Sequence, residues 1–230
     1  AYVLGNILAE SEAMREYMFE KTPCMKVLSD LIGKCIEGTS KKGGGVLKPN
    51  YEDAAIKLIR ILANLSINPK AGSGIALDKE LVSKVFLLVS QRGSEELKIS
   101  SLSTLNNLSF YPMVNEVRAY ELLAQNLDGD YANIFVPIEA TRALGNLTRR
   151  SHIRRQFFAS GDFVRFLKLL PSRDRELNVA GVGVLVNMLV DPDHRAAFQR
   201  EGGVDKLEKI IAVASESHDW GLANITCQAF

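Results

Sequence analysis

The 230-residue sequence lacks most of what announces chemistry. It has no apolar run near the eighteen or so residues that a membrane helix needs. No leader-like segment opens it at residue 1. Charge of one sign is missing too: 28 basic against 27 acidic residues leave a net +1, which disfavours a nucleic-acid or anionic-membrane binder. The three histidines, His152, His194 and His218, stand apart from any Cys, Asp or Glu at metal-ligand spacing. No nucleophile–base pair stands out either, so the expectation is a protein without catalysis, metal, cofactor or small-molecule substrate. Cysteine is scarce and odd in number. Cys24 and Cys35 fall eleven residues apart on one predicted helix, roughly 16 Å at 1.5 Å per residue, too far for a disulfide. Reduced thiols in a cytoplasmic protein are the simple reading. No segment alternates at period two, so no sheet is expected.

What is present is a phrase that returns: Leu4-Gly5-Asn6-Ile7, Leu62-Ala63-Asn64-Leu65, Leu105-Asn106-Asn107-Leu108, Leu144-Gly145-Asn146-Leu147 and Leu185-Val186-Asn187-Met188. The asparagines lie 58, 43, 39 and 41 residues apart. A period near forty is that of helical repeat proteins, in which each unit buries its apolar face on its neighbours. The long first interval is explained by residues 38–50, whose Gly43-Gly44-Gly45, two lysines and Pro49 read as a flexible insertion. One array over 1–230 is expected, opening and closing inside repeats as a fragment would.

Helical spacing fills in the rest. A first helix ends after Asn6, and Ser11 is placed to cap a second through Phe19. Thr22-Pro23 opens a helix through Ile36, with Val27, Leu28, Leu31, Ile32 and Cys35 on one face. A long helix over 52–67 buries Ala55, Leu58, Ile61, Leu62 and Leu65, and Asn68-Pro69 with Gly72 and Gly74 breaks the chain after it. Helices are then expected over 79–91, 95–110 and 117–127, with a turn at Asp128-Gly129-Asp130. The remainder reads as helices ending at Asn146, and over 153–159, 162–170, 176–190, 193–201 and 204–214, with a last one from Asp219-Trp220. Glycine breaks at Gly161-Asp162 and Gly202-Gly203 separate short from medium helices.

Units of three helices, about forty residues long with Asn late in the longest, resemble the armadillo repeat. The resemblance implies an all-α fold, an armadillo-type right-handed superhelix or solenoid of three-helix repeats, whose third helices line a partner-binding groove. The positions four and seven residues before each Asn share its helical face. They give the expected groove: Lys57, Arg60 and Asn64; Ser103 and Asn107; Glu139, Arg142 and Asn146; Gly183 and Asn187. A carboxamide both donates and accepts, so these asparagines suit either of two tasks. One is to hold the backbone of an extended partner; the other is to brace the repeats against each other. Nuclear-import adaptors of the family carry Trp four residues before the Asn. Here Tyr2, Arg60, Ser103, Arg142 and Gly183 hold those positions, so a basic cargo signal is disfavoured and an acidic or mixed-charge partner expected.

Weaker signals remain. Arg149, Arg150, Arg154 and Arg155 form a basic junction that reads first as a solvated, internally paired turn and second as a dock for an acidic partner. Four Asn-x-Ser/Thr matches lie inside predicted helices and are discounted as glycosylation sites. Gly181-x-Gly183 lacks the preceding strand of a dinucleotide loop. Trp220 reads as a packing anchor.

The order of phrases is more telling than any one of them. Val3-Leu4-Gly5-Asn6, Lys57 to Asn64 with Pro69 beyond, and Asn106-Asn107-Leu108-Ser109 with Tyr111 come first. Gly145-Asn146-Leu147, Gly181-Val182, Glu201-Gly202-Gly203 and Asp219-Trp220 with Cys227 follow. In this order they resemble the C-terminal array of an armadillo protein of motile cilia and flagella. That resemblance implies a non-enzymatic scaffold or adaptor in axoneme assembly. It would be connected with radial spokes and the central pair, and would couple cargo to intraflagellar transport. A permanent axonemal component is the alternative. Its partners would be proteins, not nucleic acid or membrane.

Overall fold

A computed structural model describes residues 1–38, 46–127 and 132–230. Every regular element among them is an α-helix, and none is long and apolar enough to cross a membrane. The chain divides into two compact units, Ala1–Leu122 and Leu123–Phe230.

The first unit holds α1 (Tyr2–Glu10), α2 (Glu12–Lys21), α3 (Cys24–Glu37), α4 (Pro49–Ser66), α5 (Pro69–Leu77), α6 (Lys79–Ser90) and α7 (Glu95–Ser109), and runs into α8 (Glu116–Ala124). Short polar side chains satisfy the free N–H groups at several helix starts. Ser11 accepts from Met14 at 3.2 Å, Asn68 from Lys70 and Ala71 at 3.1 and 3.0 Å, Asp78 from Leu81 at 3.0 Å, and Ser94 from Leu97 at 3.2 Å. The long helices α4 and α7 pack on each other, with α3 and α6 against them. Ile59, Leu62, Leu65, Leu102 and Leu105 are fully buried along this contact.

Several expectations shift. Residues 39–45 of the proposed insertion lie outside the described residues, but its last two, Pro49 and Asn50, are helical. Leu47 is buried and α4 already starts at Pro49, a residue whose missing N–H costs nothing in a first helical turn. The first helix runs to Glu10 rather than ending after Asn6. On α4 the buried stripe is wider than one face: Ile56 and Ile59 are buried while Leu58 is half-exposed, because helices pack on more than one side of it. On α3, Val27 and Leu31 are exposed. Gly72 and Gly74 do not break the chain but lie inside α5. They allow close approach: a methyl on Gly72 would fall 2.5 Å from the Ser66 carbonyl oxygen, and one on Gly74 would strike the Phe19 ring.

The second unit holds α9 (Phe135–Leu147), α10 (Ser151–Ala159), α11 (Asp162–Leu167), α12 (Arg175–Met188), α13 (Pro192–Arg200), α14 (Gly203–Glu216) and α15 (Trp220–Cys227). The expected turn at 128–130 lies outside the described residues. Long helices α9 and α12 pack together, and α14 and α15 do the same. Between the short and medium helices, Gly161 and Gly202 take φ of 79° and 67°, which glycine adopts without steric cost. The core is aromatic here: Phe157 meets Phe163 and Phe166 edge to face at 5.9 and 5.8 Å, all three fully buried. Trp220, read as an anchor, is 66% exposed.

Candidate protein-binding surface

The recurring asparagine does the same thing in both units. Its side-chain N–H donates to a backbone carbonyl one repeat earlier: Asn64 to Gly5 at 2.9 Å, Asn107 to Ala63 at 2.9 Å, and Asn187 to Gly145 at 2.8 Å. In each case the acceptor is the residue just before the previous phrase's Asn. A regular staple results, built from one half of each carboxamide; the other half is an acceptor oxygen. Asn187 also donates to Thr148 Oγ1 at 3.1 Å. Asn146 is half-buried at the same register, and its backbone carbonyl accepts from Arg150 at 2.9 Å.

The neighbours of these asparagines differ. In the first unit, exposed Lys57 pairs with Asp53 at 2.5 Å, one turn back on its own helix. Arg60 reaches across to α7: its Nε donates to Ser100 Oγ at 3.2 Å and its guanidinium meets Glu96 at 3.1 Å. Both ends of that ion pair are more than half exposed, so water screens it. Arg60, Asn64 and Ser103, together with Ala63, Ile99 and Ser100, line a depression of about 280 Å³ between α4 and α7. Ser100, at i−7 of Asn107, falls within the expected spacing; Ile99 and Ala63 were not among the expected groove residues. Ile99, at i−8, lies one position beyond the pattern, and Ala63, at i−1 of Asn64, lies outside it.

In the second unit, Arg142 is bridged by two carboxylates, Glu139 at 2.7 Å on its own helix and Glu176 at 2.6 Å on α12. Glu139 is 8% exposed, so this arginine neutralises a buried charge rather than presenting a free one. Gly183 faces open space, with nothing within 4 Å of where a Cβ would stand.

The basic junction is partly internal. Arg150 donates to the Asn146 carbonyl at 2.9 Å, and Arg154 donates to the Thr148 and Arg149 carbonyls and to Asp191 at 2.6 Å. That hydrogen bond holds the Asp191 carboxyl below the usual aspartate range. Arg149 and Arg155 are exposed residues. Cys24 and Cys35 lie buried on one helix, where desolvation raises both thiols above their ordinary range.

Solved structures share the fold. A crystal structure of computationally designed armadillo repeat proteins for modular peptide recognition superposes with a TM-score of 0.76, covering 99% of this chain and 89% of that one at 18% identity. The chain has the armadillo-repeat fold. No protein-family model matches the sequence. Among curated proteins, Armadillo repeat-containing protein 2 from Mus musculus is 30% identical over 242 residues, and its Homo sapiens counterpart is 29% identical over 253. Each alignment covers 99% of this chain, which spans 28% of the relative's length.

Proposed function

We propose that this armadillo chain is a non-enzymatic protein-binding scaffold that holds an extended segment of a partner along its long helices. The observation that carries the reading is the depression between α4 and α7, where Arg60, Asn64 and Ser103 come together. Each Asn amide spends an N–H on the fold, so a partner would meet its acceptor oxygen, the screened Arg60 charge and the small Ser103. A partner backbone with N–H groups to donate, and acidic or neutral side chains, suits that surface. The designed relative's use in peptide recognition supports this mode of binding.

The resemblance to Armadillo repeat-containing protein 2 is what prompts our reading of the setting. We place the chain in the assembly of motile cilia and flagella, as an adaptor coupling radial-spoke or central-pair cargo to intraflagellar transport. Imaging of tagged protein in regenerating flagella tests the setting. An adaptor moves with its carrier and leaves the mature axoneme; a signal fixed along mature axonemes makes the protein a permanent structural part instead. The binding mode is tested by Arg60→Glu with Ser103→Glu. Capture of spoke or transport components by the folded variant should drop, and unchanged capture would overturn the reading.

A further inference from the structure

One concavity stands apart from the asparagine ridge. It lies in the second unit, where the loop before α12 meets α14 and the start of α15, and encloses about 690 Å³. Its floor is apolar, made by Pro171, Val213 and Leu222. Val213, in the last turn of α14, is 59% exposed. Arg173 and Lys209 stand at the rim. Both are exposed, and neither is paired with a carboxylate among the described residues. A third rim cation, Arg175, is held by Asp219, with one contact at 3.0 Å, so the depression carries two positive charges in excess.

The rim is fixed before any ligand arrives. Ser172 N–H donates to Asn178 Oδ1 at 2.8 Å, and Asn178 Nδ2 donates to the Ser172 carbonyl at 2.9 Å. Asp174 N–H donates to Ser172 Oγ at 3.0 Å, and Asp174 then caps α12 through Leu177 N–H at 3.0 Å. The loop bearing Arg173 is thus tied to its helix at both ends, and little ordering entropy is left to lose on binding.

From this geometry we infer that the depression is a second docking site, for a short peptide segment of a partner protein. The segment inserts an aliphatic side chain over Pro171, Val213 and Leu222 and sets carboxylates against Arg173 and Lys209. The apolar floor selects the anchor and the two unpaired cations select the sign of its flanks. No aromatic side chain lines the depression, so it lacks the stacking platform that single-stranded nucleic acid uses. The site shares no residue with the ridge at Arg60, Asn64 and Ser103, and it stands or falls separately.

Selection from a displayed library of random short peptides tests the inference. The full chain is the bait, and a folded Arg173→Glu/Lys209→Glu variant is the counter-bait. Peptides retained by the former and not the latter should be rich in Asp and Glu around one aliphatic residue. A labelled peptide of that set should lose at least about tenfold in affinity on the reversed variant, weaken with added salt, and bind Arg60→Glu unchanged. If reversal unfolds the chain, Arg173→Gln/Lys209→Gln and Val213→Asp carry the same reading. Three results would overturn the proposal: no peptide whose binding depends on Arg173 and Lys209, a retained set without acidic excess, or an equal response to a labelled oligo-dT strand.

Discussion

Arg60 in the first unit and Arg142 in the second occupy the same place, four residues before the recurring asparagine of a long helix. Both reach a glutamate near the start of the next long helix, Glu96 and Glu176. Their surroundings then part. Arg60 has a hydroxyl and one exposed carboxylate; Arg142 has two carboxylates, one of them buried. One register position thus serves two purposes. Where a buried acid needs an opposite charge, the arginine is part of the fold; where its only ionic partner is exposed, the arginine remains available to a ligand. The amide-to-carbonyl bond of the staple recurs in both units. Variation sits beside the conserved geometry, not in it.

Substitutions can break that comparison, and urea unfolding monitored by circular dichroism reads them. The two units need not melt together, so each transition is fitted separately. The largest contrast is between two helical glycines. Gly72→Ala puts a methyl against the Ser66 backbone and the Tyr111 ring and should cost about 3 kcal/mol in the first unit. Gly183→Ala meets open space and should stabilise the second by up to about 1 kcal/mol through helix propensity alone. Next come the arginines. Arg142→Ala removes the ion pair to the buried Glu139 and should cost about 2 kcal/mol, whereas Arg60→Ala, losing a screened pair, should cost under about 1 kcal/mol. Equal costs would dissolve the distinction drawn between them.

The staples come next: Asn107→Ala removes one inter-repeat hydrogen bond and should cost about 1 kcal/mol, and Asn187→Ala, which removes two, should cost about 1 to 2 kcal/mol. The smallest effect is a pH dependence. The Asp191 carboxyl is held low chiefly by its hydrogen bond to Arg154. Its contribution is therefore complete above the ordinary aspartate value, about 4, and is lost as pH falls through the lower folded-state value. Asp191→Asn should remove that acid-side slope in the second unit while changing stability at neutral pH by under about 1 kcal/mol.

Much of this was legible in the sequence. The period of the Leu-x-Asn phrase, the glycine breaks and the polar caps define helices whose ends the structure moves by a few residues. Period and punctuation are local, and local signals survive without coordinates. Arg60, Asn64 and Ser103 were found because helical spacing alone places them near one face. What was not legible depends on the neighbour each residue meets. Nothing along α9 says that Glu139 is buried or that Glu176 approaches Arg142. Nor does spacing say that Gly72 exists for the Tyr111 ring. The depression at Arg173, Lys209 and Val213 draws on three separated segments, and no pattern in any one of them announces it.

The central claim is that a partner lies along α4 and α7. A photo-crosslinking residue placed at 103, compared with one at Ser83 on the outer face of α6, tests it most directly in ciliated cells. The account predicts a discrete crosslinked partner at 103 that is absent at 83 and lost on Arg60→Glu. Crosslinks of equal yield at both positions, or a 103 adduct indifferent to Arg60→Glu, would contradict it.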